Sequence, residues 1–407
     1  MNPYISKTLD TYREPRHLLG AKGLRVTHRL THEQTTANPG ETLYVRVPVL
    51  PEGVALVPES LAIIAKITLT GKKDVNNRVV QNLGKAIISR RIIKVGENIL
   101  EDLARPDLIE LYADIWRPTQ DRDNLVGQGI CSVEVNRHRS GSGNKNSVAS
   151  DIALASAFSK YRIPLSDCIG VLTMFKSHGA LTTSEMPQIR LELVLAPPED
   201  VIVGSDPTKL AYQLFEIELE YITLQLEQTH LPAPPRILYN HIVHHSTIPF
   251  DRATQTLIAD TVHVQRSSFV GLLFLFVVPH TAGARDTESF VDPGVKKVEF
   301  DIDSIPNTLF PRGMLPPDVW GAAQTGAEWL IGGTAHRPGG FFVDKYALFI
   351  DLRAARDHTV HGDGRRAIGA GKNLQFRIHR AGTGTGNCNL HLFILSEAAF
   401  ESNRLYH

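Results

Sequence analysis

Two stretches with alternating apolar residues decide the fold of this chain: IRLELVL at residues 189–195 and FEIELEYITLQL at residues 215–226. In the first, apolar side chains recur at every second position, which predicts a strand with one buried face. In the second, the apolar phase slips after Tyr221, which predicts a β-bulge or a corner near that residue. Both patterns indicate a fold built from sheets.

A proline-rich joint, LPAPP, follows at residues 231–235. Proline has no backbone N–H to donate and cannot sit inside a sheet. Strand patterns resume beyond the joint, so we expect one β-domain on each side of it. A length of 407 residues agrees, because it suits two domains of roughly 200 residues each.

Composition narrows the class of protein. Lys plus Arg and Asp plus Glu both number 43, so no net charge draws the chain to nucleic acid or an anionic membrane. Cys131, Cys168 and Cys388 are too few and too scattered for a disulfide framework or a thiolate metal site, which predicts folding in a reducing compartment. No secretory signal opens the chain, and no apolar run reaches the ~18 residues of a spanning helix. We expect a soluble, non-exported protein.

The first half carries about eight candidate strands and one helix. The helix is predicted over residues 98–116, and Pro106 either kinks it or starts its second part. Residues 136–147 have almost nothing to bury and are expected to form an exposed loop. The candidate strands lie within residues 24–30, 43–49, 61–69, 84–95, 161–175, 189–195 and 215–226.

The second half repeats this plan, again with about eight strands. An excursion rich in Pro and Gly, residues 304–340, is expected to be irregular, and GTGTGN at residues 382–387 to be a hairpin turn. The candidate strands lie within residues 237–248, 256–264, 269–278, 295–303, 341–352, 373–379 and 387–395. The pattern predicts an all-β fold: two tandem eight-stranded antiparallel jelly-roll sandwiches with a short helix and long loop excursions.

In the order of these elements the chain resembles the double jelly-roll major capsid proteins, a group that includes the adenovirus hexon and the capsid proteins of virophages, Polinton-type elements and tailless membrane-containing phages. The resemblance covers nearly the whole chain and includes no invariant motif. It is carried by YRIPLSDCIG at residues 161–170, VLTMF at 171–175, PQIRLELVL at 187–195, the Glu-rich strand from Phe215, the joint near Pro232 and the strands after it.

The resemblance implies a structural protein and not an enzyme. Each subunit would stand two jelly rolls side by side, three subunits would form a pseudo-hexagonal homotrimeric capsomer, and capsomers would tile an icosahedral virion shell. The implied partners are further copies of the chain, neighbouring capsomers, and penton and minor capsid proteins, with no sequence-specific nucleic acid. The implied location is the virion, after assembly in the host cytoplasm or nucleus.

The resemblance also divides the chain into an N-terminal arm (residues 1–22), a first jelly roll (23–230) and a second jelly roll (231–407). Residues 1–32 hold six basic and two acidic residues, and the arm would contact neighbours, an internal membrane or a core layer. The excursions at residues 117–159 and 304–340 would form towers or clasps between subunits.

The histidines and acids that could carry chemistry each have a plainer interpretation. His241, His244 and His245 lie on a predicted strand, where only His241 and His245 share a face, so surface or interface histidines are preferred over a metal site. Asp301 and Asp303 could bind a cation or form an acid/base pair, but a polar strand end explains them more simply.

Glycine-containing motifs also fail as sites. GDGRRA at residues 362–367 lacks the strand-to-helix context of a dinucleotide site, Gly371-Lys372 is not followed by Ser or Thr as a phosphate loop requires, and the segment around Ser140 is not a nucleophile elbow. We therefore expect no catalytic, cofactor-binding or metal-ligating residue, and no cofactor.

Two other functions stay open. A β-sandwich glycan-binding or attachment protein would stack Trp320, Trp329 and Tyr346 on sugars. A glycoside hydrolase would use acids such as Asp301 and Asp303.

Overall fold

The structure of the protein is a computed structural model. Several predicted segments lie outside the residues that it describes: the arm (1–22), the excursion at 117–159 with the loop at 136–147, and the joint (231–235). The described residues are 24–69, 78–80, 83–116, 160–165, 181, 183–184, 186–203, 211–225, 236–265, 269–287, 289–306, 311–331, 338–352, 371–382 and 384–401.

The first half folds into two main sheets. One has the order β1-β11-β4-β8, with β2 beside β11; the other has the order β3-β9-β6-β7; and β5 pairs with β10. Their bounds are β1 (Arg25–Thr31), β2 (Thr36–Ala37), β3 (Thr42–Arg46), β4 (Val54–Leu69), β5 (Arg78–Val79), α1 (Leu83–Ala86), β6 (Ile88–Val95), β7 (Asn98–Ala104), α2 (Pro106–Ile115), β8 (Lys160–Pro164), β9 (Ile189–Leu195), α3 (Pro198–Val201), β10 (Ile202–Val203) and β11 (Tyr212–Gln225).

The second half also folds into two sheets, with the orders β12-β19-β14-β17 and β13-β18-β15-β16. The bounds are β12 (Arg236–Asp251), β13 (Leu257–His263), β14 (Phe269–Val277), β15 (Val295–Ile302), β16 (Ile305–Pro306), α4 (Pro316–Ile331), α5 (Pro338–Asp344), β17 (Ala347–Asp351), β18 (Asn373–Arg380) and β19 (Asn387–Glu401). Among the described residues, no helix combines the length and apolar character needed to cross a membrane.

Both halves have the same strand order. With the short strands β2, β5 and β10 set aside, the described residues of each half form eight strands, and the sheets join strands 1-8-3-6 and 2-7-4-5. The ladders are antiparallel. This is the double Greek key of a jelly roll, so the predicted fold of two tandem antiparallel jelly rolls is confirmed.

The two stretches that decided the fold behave as predicted. Along β9 the odd-numbered side chains are buried and the intervening ones face outward. In β11 the pairing with β4 shifts register between Phe215 and Glu218 and again between Glu220 and Ile222, which confirms the predicted irregularity near Tyr221. Glu216 takes a positive φ of 50°, so the backbone itself makes the first shift.

The prediction for residues 84–116 was wrong in two places. Residues 83–86 form the short helix α1, and β6 starts only at Ile88. Residues 98–104 form strand β7, paired with β6, and the helix starts at Pro106. Arg105 adopts the left-handed conformation (φ 58°), which ends the strand, and proline at the first helical position starts α2.

Three predictions in the second half were also wrong. The excursion at 304–340 contains the sixteen-residue helix α4, whose start is stabilised by the Leu315 N–H donating to Asp318 Oδ2 at 3.0 Å. The predicted strand at 341–352 begins as helix α5. The turn at 382–387 is not a hairpin, because β18 and β19 lie in different sheets.

Two glycines in α4 give a matched prediction. A Cβ at Gly326 would lie 2.8 Å from the Phe349 carbonyl oxygen, whereas a Cβ at Gly321 would meet nothing within 4 Å. We expect Gly326→Ala to lower the free energy of unfolding by about 1–3 kcal/mol through overpacking. Gly321→Ala should raise it by up to about 1 kcal/mol through helix propensity. Urea unfolding of both variants checks this, and equal effects would contradict the packing of α4 on β17.

Candidate functional site at the junction of the two rolls

Helix α2 belongs to the first half of the chain but packs into the core of the second roll. Its apolar residues share one buried cluster with the side chains of β14 and β19. Trp116, just after α2, stacks on Trp320 of α4 with ring centroids 6.4 Å apart. Strand β7, which precedes α2, also contacts β12. The junction between the rolls is therefore a continuous apolar contact.

A buried ion network crosses this junction. Asp107, in the first turn of α2, accepts hydrogen bonds from Arg105 Nε (2.9 Å) and Nη2 (2.8 Å). Arg285, from the second half, also donates to the Asp107 carboxylate and places Nη1 2.7 Å from the Asp200 carbonyl oxygen. The Arg285 side chain is 3% exposed. His280 Nε2 lies 3.0 Å from Asp200 Oδ1.

The charges of this network lower the pKa values of its two aspartates, Asp107 and Asp200. Burial alone would raise the pKa of Asp107, but Arg105 and Arg285 outweigh it and bring that pKa to about 2. Burial likewise opposes ionisation of Asp200, but the hydrogen bond from His280 and the charge of Arg285 lower its pKa. Asp107 and Asp200 are therefore carboxylates at neutral pH, as a buried Arg285 requires.

A second network holds α2 against its own roll. Glu110 accepts from Lys85 Nζ (3.1 Å) and Arg91 Nη1 (3.3 Å), and Arg91 Nε donates to Glu101 Oε1 at 2.6 Å. Sequence reasoning found the apolar stripe of this helix but missed its acids. Asp107 and Glu110 lie three positions apart within an apolar segment, and that spacing could have indicated buried acids in need of cations.

The structure groups the histidines differently from the prediction. The ladder between β12 and β19 shifts register between His244 and Ser246, which breaks the expected shared face of His241 and His245. His244 Nε2 instead lies 3.3 Å from Nδ1 of His391, and Thr247 Oγ1 lies 3.2 Å from the same Nδ1 atom. Burial lowers the pKa of both histidines, and the positive charge of Arg105 lowers it further. The pKa of His391 falls to about 3.

A cleft of about 190 Å³ opens beside the junction, between α2 and the ends of β14 and β19. Arg105, His280, Arg285 and His391 contribute to its lining. The two arginines and His280 are committed to Asp107 and Asp200. These three polar side chains of the cleft wall are therefore engaged in the ion network that crosses the junction.

The other predicted chemical groups do not assemble into a site. Asp301 pairs with Arg377, and Asp303 binds Lys372 Nζ at 2.8 Å and the Asn373 N–H at 2.9 Å. Each acid therefore has its own cationic partner, which does not suit a hydrolytic acid/base pair. Among the described residues, no group of three or more His, Cys, Asp or Glu side chains is placed to hold a metal ion. The segments at 362–367 and around Ser140 lie outside those residues.

Two of the three aromatic residues named for sugar stacking, Tyr346 and Trp320, pack against other aromatic rings of the protein. Tyr346 is fully buried, with its ring 5.6 Å from that of Phe276. Trp320 packs between Trp116 and Phe341. The side chain of Trp329 lies outside the described residues.

The hydroxyl of Tyr346 gives a prediction about the stability of the core. It is buried and finds no hydrogen-bond partner among the described residues, and a buried unpaired hydroxyl costs free energy. We expect Tyr346→Phe to leave the free energy of unfolding unchanged or to raise it by up to about 1 kcal/mol. Urea unfolding measures this, and a clear loss of stability would show that the hydroxyl is bonded.

Comparison with solved structures identifies the class of fold. The Faustovirus major capsid protein gives a TM-score of 0.57 at 8% identity, covering 98% of this chain and 98% of that chain. PBCV-1 VP54, fitted into a cryo-EM reconstruction of the virophage Sputnik, gives 0.56 at 10% identity, with 93% and 94% covered. The mavirus major capsid protein gives 0.52 at 12% identity, with 93% and 88% covered.

A scan of protein-family models and a search of curated proteins found no match. The fold of this chain is nevertheless that of the double jelly-roll major capsid proteins, over nearly its whole length. The resemblance inferred from the order of strands is confirmed at the level of fold.

Proposed function

We propose that this chain is a major capsid protein that forms pseudo-hexagonal homotrimeric capsomers of an icosahedral shell. One observation carries the proposal: two rolls of identical strand order, joined by a buried contact, make up a fold that covers 98% of this chain and is shared with a viral major capsid protein. A sandwich buries its inner faces in its own core and leaves its flanks for lateral contacts.

The junction supports this role. A lattice subunit must present two flanks at a constant angle, and the charges around Asp107 and Arg285 link the rolls at positions 178 residues apart. Buried charges hold one arrangement because any other arrangement leaves a charge unpaired. The charged groups of the ion network are engaged in such structural contacts, which supports a structural role for the junction.

The finer assignments follow the family resemblance. We infer neighbouring capsomers, penton proteins and minor capsid proteins as partners, and assembly in the host cytoplasm or nucleus. We propose the division into an arm (residues 1–22), a first roll (23–230) and a second roll (231–407). The basic excess of the arm supports a contact with neighbours, an internal membrane or a core layer.

The test is the oligomeric state and outline of the purified protein. Light scattering should give three times the chain mass of 45.0 kDa, and negative-stain images should show a flat hexagonal outline. A chain that stays monomeric at every concentration tested, including with its capsid partners, would overturn the proposal. Binding on a glycan array that is lost on replacing Trp320 would instead favour the attachment protein.

A further inference from the structure

One outer face of the first roll carries a row of three basic side chains. The face belongs to the sheet β3-β9-β6-β7 and points away from the core, because the alternate residues of β3 and β9 are buried. The register places Arg46 of β3 opposite Arg190 of β9, and Arg190 opposite Lys94 of β6. Neighbouring strands lie about 4.8 Å apart, so the three side chains start from a row of roughly 10 Å.

Acids on the same face bind only part of this charge. Lys94 Nζ lies 2.5 Å from Glu192 Oε1. A fourth cation, Arg90 of β6, donates two hydrogen bonds to Asp102 of β7, at 2.9 and 2.8 Å. Along the four strands the face has four basic and two acidic side chains, which leaves an excess of positive charge.

Arg46 and Arg190 are the two cations that remain. Among the described residues neither forms an ion pair, and both are exposed. The Val47 N–H donates to the Ile189 carbonyl oxygen at 3.0 Å, so the adjacent pair of arginines is a non-hydrogen-bonded one, in which side chains come closest. Like charges directly opposite each other destabilise a sheet. An anion bound between the two guanidinium groups would remove this repulsion.

An exposed aromatic ring lies next to the unpaired arginines. Tyr44 is two positions before Arg46 on the same face of β3, and it is 62% exposed. Two residues of a strand span roughly 7 Å, so the two side chains are neighbours. A tyrosine ring offers an apolar surface with a polar tip, which suits the apolar face of a sugar ring. The face therefore combines anion-binding groups with a stacking surface.

The shape of the surface favours an extended polymer that lies across the sheet. Small molecules bind in concave pockets, whereas the outer face of a sheet is broad and open. An acidic peptide could add as a strand to the edge of β3, but His32 Nε2 lies 3.0 Å from the Tyr44 carbonyl oxygen. That contact occupies an edge group that an added strand would need. A polysaccharide needs no backbone partner.

We propose that this surface binds a sulfated polysaccharide, and we call Tyr44, Arg46, Lys94 and Arg190 the Arg46 face. One sulfate group accepts hydrogen bonds from both Arg46 and Arg190, and an adjacent sugar ring packs on Tyr44. Guanidinium groups bind such oxyanions through paired N–H donors, and the three terminal oxygens of a sulfate ester can face both arginines. This binding activity goes beyond the proposed function, because each chain carries it alone.

Binding of a fluorescently labelled heparin octasaccharide, measured by anisotropy in about 0.15 M salt, tests the proposal. Arg46→Gln and Arg190→Gln should each weaken binding by about tenfold or more, because each removes charge-assisted hydrogen bonds. Arg90→Gln is the matched control. It removes the same charge from the same face, but Asp102 holds that guanidinium, and the loss should be less than about threefold. Equal losses in all three variants would reflect net charge alone and would overturn the site.

A gain of binding is expected when the third cation of the row is released. Glu192→Gln frees Lys94 and should tighten heparin binding by about threefold or more. Asp102→Asn changes the net charge equally but frees Arg90, which lies outside the row, and its effect should be smaller. A gain cannot result from misfolding, so this comparison holds even where an arginine variant is less stable. Equal gains would contradict the row.

The aromatic ring is tested separately. Tyr44→Ala should weaken heparin binding by about threefold or more, whereas Tyr44→Phe keeps the ring and should bind like the unaltered chain. Unchanged binding in Tyr44→Ala would contradict the stacking and, with it, the assignment to a polysaccharide. The urea midpoint of Arg46→Gln should be no lower than that of the unaltered chain, because the substitution relieves the repulsion across the strands.

Competing ligands and the chain mass separate the remaining outcomes. Tighter binding of hyaluronan, which carries carboxylates only, of polyglutamate or of single-stranded DNA would show that the class of ligand is wrong. Heparin binding that persists in the Arg46→Gln/Arg190→Gln double variant would assign it to the basic residues within 1–32 and overturn the site. A lower light-scattering mass for Arg46→Gln would show that the face contacts other copies instead. If the unaltered chain binds heparin as expected but stays monomeric, the capsid function falls and the Arg46 face stands.

Discussion

Asp107→Asn is expected to lower the free energy of unfolding by about 3–5 kcal/mol, the usual cost of removing one partner from a buried ion pair. The substitution preserves the shape of the side chain but removes the charge that faces Arg105 and Arg285. The nearest carboxylate left to Arg285 would be that of Asp200, 3.7 Å from Nη1. Because the Arg285 side chain is 3% exposed, hydration cannot replace the interaction that its guanidinium loses.

The matched control is Asp102→Asn in the first roll. Asp102 accepts two hydrogen bonds from Arg90 at 2.9 and 2.8 Å, the same bidentate arrangement that joins Arg105 to Asp107. Both side chains of the control pair are about half exposed, and such pairs contribute about 0–1 kcal/mol. Urea unfolding at one fixed protein concentration compares the variants, since association would itself add stability. Equal, small losses in both would contradict the role given to the buried network.

The strands were predictable because alternation is a local property. β9 and the shifted β11 could be identified from their own residues, and the repeated strand plan followed from similar local patterns. Helices were harder. NILEDLA at β7 has apolar positions that also fit a helix, and only its pairing with β6 made it a strand. The Pro and Gly content of residues 304–340 concealed α4, although Pro316 and Asp318 were suitable for a helix start.

The junction could not be predicted, because its residues are far apart in the sequence. Asp107 and Arg285 meet only when the two rolls are placed side by side. His391 lies among leucines in β19, and only the register of β12 against β19 sets it opposite Thr247. Single residues of this kind carry no local pattern, so neither their burial nor their partners can be inferred before the fold is known.

Acidification below about pH 6.5 is expected to weaken the junction through His391. Burial, with Arg105 and His244 nearby, lowers the pKa of this histidine to about 3 from its ordinary value of 6.5. The unfolded chain then binds a proton that the folded chain does not, so the stabilisation is complete above pH 6.5 and is lost as the pH falls toward 3. This difference of one bound proton lowers the free energy of unfolding by about 3 kcal/mol between pH 6.5 and pH 4.

The groups around His391 determine how this is measured. His244 and Thr247 lie beside its ring, and the nearby charges of Arg105 and Asp107 act on its pKa in opposite directions. Asp107, with a pKa of about 2 against an ordinary 3.8, loses its stabilising effect only below about pH 4. Between pH 6.5 and 4.5 the histidines therefore dominate the pH dependence at the junction.

His391→Gln removes the titrating group and keeps a polar side chain opposite Thr247. Between pH 6.5 and 4.5 the free energy of unfolding of this variant should fall less steeply, as the pH is lowered, than that of the unaltered chain. The two slopes should differ by up to about 1.4 kcal/mol per pH unit. His263→Gln, at an exposed position on β13, is the control for replacing a histidine outside the junction. Urea unfolding at several pH values measures both slopes. Parallel curves for His391→Gln and the unaltered chain would show that His391 takes up its proton while the chain is folded, and the junction would then hold its two rolls together in acid.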